Sequence, residues 1–377
     1  MEDLVNCWRG KRVFLTGHTG FKGSWLALWL AEMGAHVCGY ALDPEAEPNL
    51  FSIASVASVV EDVRADIRDY PRIQAEMARF APEVVFHLAA QPLVRRSYAD
   101  PLGTYATNVL GTAHVLEAVR NTPGVRAVVC VTTDKCYQNQ EWVWPYRETD
   151  ALGGYDPYAS SKACSEIVVA AYRQSFFAGT TANHGAGLAT ARAGNVIGGG
   201  DWSEDRLVPD LIGGFVERRP VPIRRPQAIR PWQHVLEPVY GYLLLAARLL
   251  ADPEQFSSAF NLGPGDGDEW TVSQIANRMI ELWGEGASWA PDPVPGAHEA
   301  ATLKLDSSKA RSQLGWRPHL NLETALDWTV SWYRLWREGN DMQAATRAQI
   351  SVYQQLLRPG LISKPQEAGV IARPSNG

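Results

Sequence analysis

Apolar and polar positions follow two recurring patterns along the first half of the chain. Short runs apolar on both faces, Arg12–Thr16 (RVFLT), His36–Leu42 (HVCGYAL), Val84–Ala89 (VVFHLA) and Ala127–Val131 (AVVCV), read as buried strands. Between them lie segments with an apolar stripe at helical spacing: Trp25–Met33, ended by Gly34, then Tyr70–Phe80 and a long Thr104–Arg120. A helix over Tyr158–Phe177 and a strand at Leu188–Ala193 continue the alternation. Repeats of this kind predict a parallel sheet covered by helices on both faces, whose strands are apolar throughout. Beyond Gly198 the pattern turns irregular, and Gly, Pro, Arg and Trp become frequent. A helix near Pro238–Leu250 and a strand at Ala259–Leu262 return to the sheet. The expected division is a first domain of residues 1–196 with 236–263 returning to it, a smaller one of 197–235 and 264–358 over the carboxyl edge of the sheet, and a coil tail at 359–377.

Composition narrows the picture mainly by exclusion. With 377 residues, 46% hydrophobic and 20% charged, the chain has the length and balance of a soluble protein with a large core. A net charge of −6 offers no footprint for nucleic acid or an anionic membrane, so any anionic ligand must be held by local Arg, Lys and backbone groups. The start, MEDLVNCWRGKR, has no signal-like apolar stretch, and the longest apolar segment, Tyr240–Leu250, contains Arg248 and is too short to span a bilayer. Five cysteines at 7, 38, 130, 136 and 164 fit a reducing compartment better than a disulfide framework, so a cytoplasmic enzyme-sized chain is expected. No His, Cys or carboxylate cluster has metal-ligand spacing.

Three stretches carry chemistry. TGHTGFKG follows the first strand and opens the first helix, with glycines at 17, 20 and 23. Glycine allows a tight turn and a close backbone approach to a pyrophosphate, and the helix N-terminus offers unpaired N–H groups to its oxygens. Asp43, 20 residues past Gly23, stands where a carboxylate would accept from a ribose 2′-hydroxyl and repel a 2′-phosphate, which favours NAD over NADP. Asp66 is a second candidate for the adenosine end. YDPYASSK then places Tyr158 and Lys162 four apart on one helix face. A free phenol ionises near pH 10, and a neighbouring ammonium with a positive nicotinamide ring would lower that value enough for Tyr158 to act as a base. Finally, TTDKCY sets Thr132, Thr133, Asp134 and Lys135 where a buried strand meets solvent.

With TGHTGFKG, HLAAQ (87–91), TNVLGT (107–112), TTDKCY, the Tyr-x-x-x-Lys pair and ARAGNVIGGGDW (191–202), the chain from about Arg12 to Leu326 resembles the extended short-chain dehydrogenase/reductases, and within them the nucleotide-sugar 4,6-dehydratases. GHTGFKGSWLALWL, GYALDPEAEPNLF and the lysine of TTDK are similar to the CDP-glucose branch. Most sugar-nucleotide dehydratases carry Glu in place of Lys135. The resemblance implies a Rossmann-type, doubly wound α/β fold with a smaller, mostly C-terminal substrate domain, and NAD as cofactor. It implies CDP-glucose as substrate, no nucleic acid or membrane partner, a homodimer or homotetramer paired through the Thr104–Arg120 and Tyr158–Phe177 helices, and a place in deoxysugar assembly of the lipopolysaccharide type.

The same resemblance assigns residues. Thr133, Tyr158 and Lys162 would manage oxidation at C4 of the sugar, and Asp134 and Lys135 the loss of water across C5 and C6. Asp134 would protonate the leaving hydroxyl, which requires a raised pKa. Lys135 would either be partly neutral and take the C5 proton, or remain cationic and stabilise the enolate; the second is favoured. Gly17, Thr19, Gly20, Phe21, Lys22, Gly23, Asp43, Asp66, Ile67, Leu88, Ala89, Ala90, Asn108, Tyr158 and Lys162 would contact the cofactor. Gln91, Asn195, Arg206, Leu207 and Arg230 would contact the substrate, the arginines at its diphosphate. His234 and His298 are expected in packing or base contacts. A 4-epimerase or 4-reductase using the same Tyr–Lys pair is the alternative, although it has no need of Asp134 and Lys135; a non-catalytic NAD-binding module is more remote.

Overall fold

The computed structural model describes residues 2–177, 185–265, 267, 269–284, 286–292 and 303–357; the expected coil tail and His298 lie outside them. Its central sheet takes strands β1 (Arg12–Thr16), β2 (His36–Ala41), β3 (Glu61–Arg64), β4 (Val84–His87), β5 (Ala127–Val131) and β6 (Gly187–Ala193). After β7 (Asn195–Ile197), β8 (Val221–Ile223) and β9 (Ile229–His234), the chain returns to this sheet with β10 (Ala259–Leu262). All seven strands run parallel in the order β10-β6-β5-β4-β1-β2-β3. The order reverses between β1 and β4, and a doubly wound sheet binds its ligand at the carboxyl ends of such a pair.

β4, β5 and β6 are fully buried because both faces are covered by helices. β3 (EDVR) was not expected, since an edge strand need not be apolar and this one carries three charges. On one face, the Phe21–Glu32 helix buries Trp25 and Trp29, each contributing roughly 1.5–3 kcal/mol or more of burial free energy. The expected Thr104–Arg120 helix is broken: Pro101–Tyr105 and Gly111–Arg120 are α-helical, and Ala106–Leu110 between them is a π-turn. The helix expected over Tyr158–Phe177 is α-helical over Pro157–Tyr172 and ends in a second π-turn, Arg173–Phe177.

Over the carboxyl edge lie two small sheets. β9 pairs with β7 on one side and with β11 (Glu269–Thr271) on the other, and β8 pairs with β12 (Trp289–Pro291). Two long helices close the described chain, Leu322–Arg337 and Met342–Leu356, capped by Asn321 and Asp341. The second of these packs on the dinucleotide side rather than with the small sheets: the Tyr353 ring meets Trp29 edge-on at 5.6 Å. The Tyr353 hydroxyl also donates to buried Glu237 at 2.7 Å.

Candidate active site

The glycine turn sits at the β1–β4 switch point. Gly17 has φ +78°, and a Cβ there would lie 2.7 Å from the Ala89 backbone nitrogen, so only glycine fits. A Cβ at Gly23 would lie 2.0 Å from the Gly17 carbonyl oxygen, which packs the first helical turn directly on the loop. No side chain caps the helix at Gly20, leaving the first-turn N–H groups of Phe21, Lys22 and Gly23 for a ligand. This cradle suits a dinucleotide pyrophosphate. Beneath it, Leu88 and Ala89 donate their N–H groups to Thr16 Oγ1, each at 3.2 Å, and Thr16 bonds His87 Nδ1 at 2.8 Å. His87 Nε2 meets Thr112 at 3.0 Å. Burial with the nearby Lys162 charge pushes the His87 pKa down to about 3, so the ring is neutral. Ala90 continues this floor, half-buried.

At the adenosine end, exposed Asp43 accepts from Arg64 at 3.2 Å. Asp66 is held in its own turn by the Arg68 backbone N–H at 2.8 Å and the Arg68 guanidinium. Ile67 is buried against Gly111, so its side chain belongs to the core and does not face a ligand. Thr19 donates to the Leu42 carbonyl at 3.0 Å, tying the turn to the end of β2. Not anticipated was Asp62, which accepts from His18 at 2.8 Å and from Arg64 at 2.7 Å. Arg64 is thereby neutralised by two carboxylates, Asp43 and Asp62, and lies 4.5 Å over the Phe51 ring. The signal for this network was the charged run EDVR, whose strand position was not legible.

The end of β5 and the Pro157–Tyr172 helix bring the reactive groups together. Asp156 caps that helix by accepting from the Ala159 N–H, with Pro157 in its first turn. Tyr158 is buried near the Thr133 hydroxyl, which favours its ionised form. Thr133 Oγ1 also lies 3.0 Å from Asp134 Oδ1, and Lys135 Nζ stands 6.0 Å from the Tyr158 ring centre. Lys162 reaches the Val131 carbonyl at 3.2 Å. Asn108 makes the π-turn useful: its amide donates to the Gln91 carbonyl at 3.0 Å and to Ser161 at 2.9 Å, while its oxygen accepts from the Gln91 N–H at 2.8 Å. Ser161 in turn donates to the Tyr158 carbonyl at 2.7 Å.

The electrostatics separate these groups. Burial pushes the Asp134 carboxyl up, against the opposing pull of Lys135, the Thr133 hydroxyl, Arg230 and Lys22. A Cβ at Gly194 would lie 2.9 Å from Asp134 Oδ2, so the β6–β7 junction leaves the carboxyl its space. Burial pushes the Lys162 ammonium down to about 8, and that of half-buried Lys22 also to about 8, helped by Arg206 and Lys162. For Tyr158 the expectation of a lowered pKa is not met in the chain alone. Burial raises the phenol to about 12, against the pull of the Thr133 hydrogen bond, and the Lys162 ammonium is spent on the Val131 carbonyl.

Of the expected substrate contacts, Arg206 immediately precedes the Leu207–Val216 helix and donates to Asp201 at 2.9 Å, close enough to Tyr158 and Lys22 to affect both. Leu207 opens that helix, half-buried, and Asn195 opens β7 opposite Trp232. Arg230, on β9, faces Asp134 electrostatically. The Gln91 side chain is not turned to a ligand: it donates to Leu93 at 3.1 Å and Thr104 at 2.9 Å and accepts from the Leu93 N–H. His234 is a packed ring between Trp25 and Trp328. Among the described residues no His, Cys, Asp and Glu group has the geometry of a metal site, and no helix is long and apolar enough to cross a membrane.

Comparison with known proteins agrees with this geometry. Residues 14–185 match the family described as GDP-mannose 4,6 dehydratase. The CDP-glucose 4,6-dehydratase of Salmonella typhimurium is 53% identical over 351 residues, covering 92% of this chain and 97% of that one. The dTDP-glucose 4,6-dehydratase of Streptomyces antibioticus is 32% identical over 278 residues, 72% of this chain and 76% of that one. Among solved structures, the dTDP-glucose 4,6-dehydratase of Streptomyces venezuelae with NAD bound superposes with a TM-score of 0.75 at 25% identity, covering 88% of this chain and 99% of that one.

Proposed function

Because the chain belongs to the CDP-glucose 4,6-dehydratase family, we propose that it converts CDP-D-glucose to CDP-4-dehydro-6-deoxy-D-glucose and water, a carbon–oxygen lyase reaction. NAD held on the glycine turn of Gly17, Gly20 and Gly23 would supply the redox chemistry, hydride acceptance from C4 and its return at C6. The chain's residues manage protons and position. Tyr158 takes the proton of the C4 hydroxyl, with Thr133 bonded to the same oxygen. The resulting 4-ketone acidifies C5; a base takes that proton while the C6 hydroxyl, protonated by Asp134, leaves as water, and a proton returns to C5 as hydride reaches C6. Asp134, buried and raised, holds the proton for the departing C6 hydroxyl. Lys135 stands beside Tyr158 as the cation facing the developing enolate.

The observation that carries this reading is the continuity of the two halves. Thr133, whose hydroxyl acts on the Tyr158 phenol, is followed directly by Asp134 and Lys135 on one tight turn. A 4-epimerase requires the first half only. The test is incubation with CDP-glucose and, in parallel, UDP-, dTDP- and GDP-glucose. CDP-glucose should lose the mass of one water without accumulation of free reduced cofactor; an unchanged mass with inversion at C4 would replace the dehydratase by the epimerase reading.

The supporting assignments follow. The glycine cradle and Asp43 suit NAD, and Arg206, Arg230, Asn195 and Leu207 suit the nucleotide-sugar diphosphate and its surroundings, with 197–235 and the part of 264–358 before the Met342–Leu356 helix supplying most of the substrate domain. Leu110, Ile167 and Phe176 are exposed on the two helical segments expected to pair, which supports a homodimer or homotetramer. The reading places the enzyme in the cytoplasm, upstream of deoxysugar transfer into a lipopolysaccharide-type glycan, with neither nucleic acid nor membrane as partner.

A further inference from the structure

The face of the Pro157–Tyr172 helix that carries Tyr158 and Lys162 carries a third polar group one turn on, Glu166. Its carboxylate is buried and fully engaged: Thr132 donates at 2.5 Å, Thr190 at 2.9 Å and Arg192 at 2.7 Å. Burial would raise this acid, but Arg192 and the two hydroxyls overcome it and hold the carboxyl below its ordinary value. Arg192 is buried as well, donates to the Tyr137 hydroxyl at 2.8 Å, and through it meets Asn261, which accepts from Tyr137 at 2.7 Å. Replacing such a pair with apolar groups is often stability-neutral, so stability alone does not account for it. Its placement does. Lys162 grips the Val131 carbonyl and Glu166 grips the Thr132 hydroxyl, successive residues at the end of β5, and Thr133, Asp134 and Lys135 follow at once.

We propose that Glu166 is a positioning residue for the reaction, holding the Thr133–Asp134–Lys135 turn in register with Tyr158 while its charge keeps Lys162 cationic. This deepens the dehydratase reading and rests on it for the role of the turn. The groups facing Lys162 make the charge assignment definite. They are Glu166 on its own helix, Cys130 and the Val131 carbonyl on β5, Cys136 beyond it, His87 on β4, and Lys22 on the glycine-turn helix. Burial keeps both thiols and His87 neutral, and Lys22 repels, so Glu166 is the anion among them.

Two variants test the two parts. NAD affinity followed into the alkaline range reads the loss of the Lys162 and Lys22 ammonium charges without turnover, and should fall in the wild type near pH 8; the part of the fall that moves in a Glu166 variant belongs to Lys162. Glu166→Gln removes the anion that favours the ammonium, so this fall should move to lower pH by about one unit. Thr132→Val removes the hydroxyl alone; kcat with CDP-glucose should drop ~10- to 100-fold with KM unchanged, the signature of a misplaced reacting group. A wild type without an alkaline fall, or a folded Glu166→Gln protein with an unmoved one, overturns the charge role, and wild-type kcat in Thr132→Val overturns the positioning role. Should Glu166→Gln not fold, the double variant with Arg192→Met, which removes both charges together, carries the same titration. If the wild type does not turn over CDP-glucose, the dehydratase reading and with it the positioning of the turn fail, while the affinity titration still decides the charge role.

Discussion

Asp134 and Lys135 are neighbours in sequence with opposite surroundings. The aspartate is sealed at 4% exposure beneath Gly194, and the lysine is half-buried at the rim beside the Tyr158 ring. Burial that raises Asp134 makes it a proton holder, so Asp134→Asn should leave the first oxidation intact and slow water loss by ~10²–10⁴-fold, read by rapid mixing as reduced cofactor that forms and persists. Lys135→Ala should behave alike, because it removes the cation facing the enolate; Tyr158→Phe should show no reduced cofactor even transiently. If Lys135→Ala dehydrates at the wild-type rate, the lysine is only the solvated end of a strand. The phenol makes a further prediction. In the chain without cofactor its pKa stands at about 12, because burial outweighs the Thr133 hydrogen bond. A positive nicotinamide ring nearby favours the phenolate, so adding NAD should bring its ionisation to lower pH. Ultraviolet difference titration against Tyr158→Phe measures that change, and an identical curve with and without NAD would leave Tyr158 without the means to act as a base.

At the scale of elements, the glycine turn makes the sharpest demand. Gly23→Ala would push a methyl to 2.0 Å from the Gly17 carbonyl, which must displace the loop from the helix. NAD affinity measured by calorimetry should fall at least ~10-fold in that variant, while Gly213→Ala, in open space, should bind as the wild type does. This turn was legible because its requirements are local: strand, three glycines, helix. The same holds for β5, β10 and the Tyr70–Phe80 helix, found at the expected bounds, each defined by its own apolar pattern or caps. Legibility failed where a distant partner decides. The charged strand β3 exists because β2 offers it an edge, and the π-turn at Ala106–Leu110 coincides with Asn108 bonding Gln91 and Ser161 across the site. Motif spacing likewise pointed to Thr133, Asp134, Tyr158 and Lys162, which converge. It could not show that Gln91 turns its amide to Thr104, that Asp62 joins Asp43 on Arg64, or that Glu166 stands behind Lys162.

The whole molecule sets two expectations that no single residue carries. With a net charge of −6, the chain must hold a dianionic sugar nucleotide through local cations, and the two arginines proposed for that, Arg206 and Arg230, act on Tyr158 and Asp134 respectively. On the proposed reading these groups meet phosphates rather than the base, and the base is discriminated elsewhere; CDP-glucose should exceed the other glucose nucleotides by at least tenfold in kcat/KM, about 1.4 kcal/mol of transition-state binding. Equal turnover of dTDP-glucose would remove the cytidine assignment and leave the dehydratase intact. The second expectation follows from enclosure. Tyr158 and Asp134 are both buried and both lie near the Thr133 hydroxyl, so on the proposed reading one bound sugar presents C4 to the first and C6 to the second without leaving. Hydrogen taken from C4 then has no route to solvent before it is needed at C6. CDP-glucose deuterated at C4 should therefore yield product with deuterium at C6 of the same molecule, and a mixture of labelled and unlabelled substrate should give no crossed products by mass spectrometry. Label appearing in water, or scrambled between molecules, would mean that the two halves of the site do not act on one bound sugar.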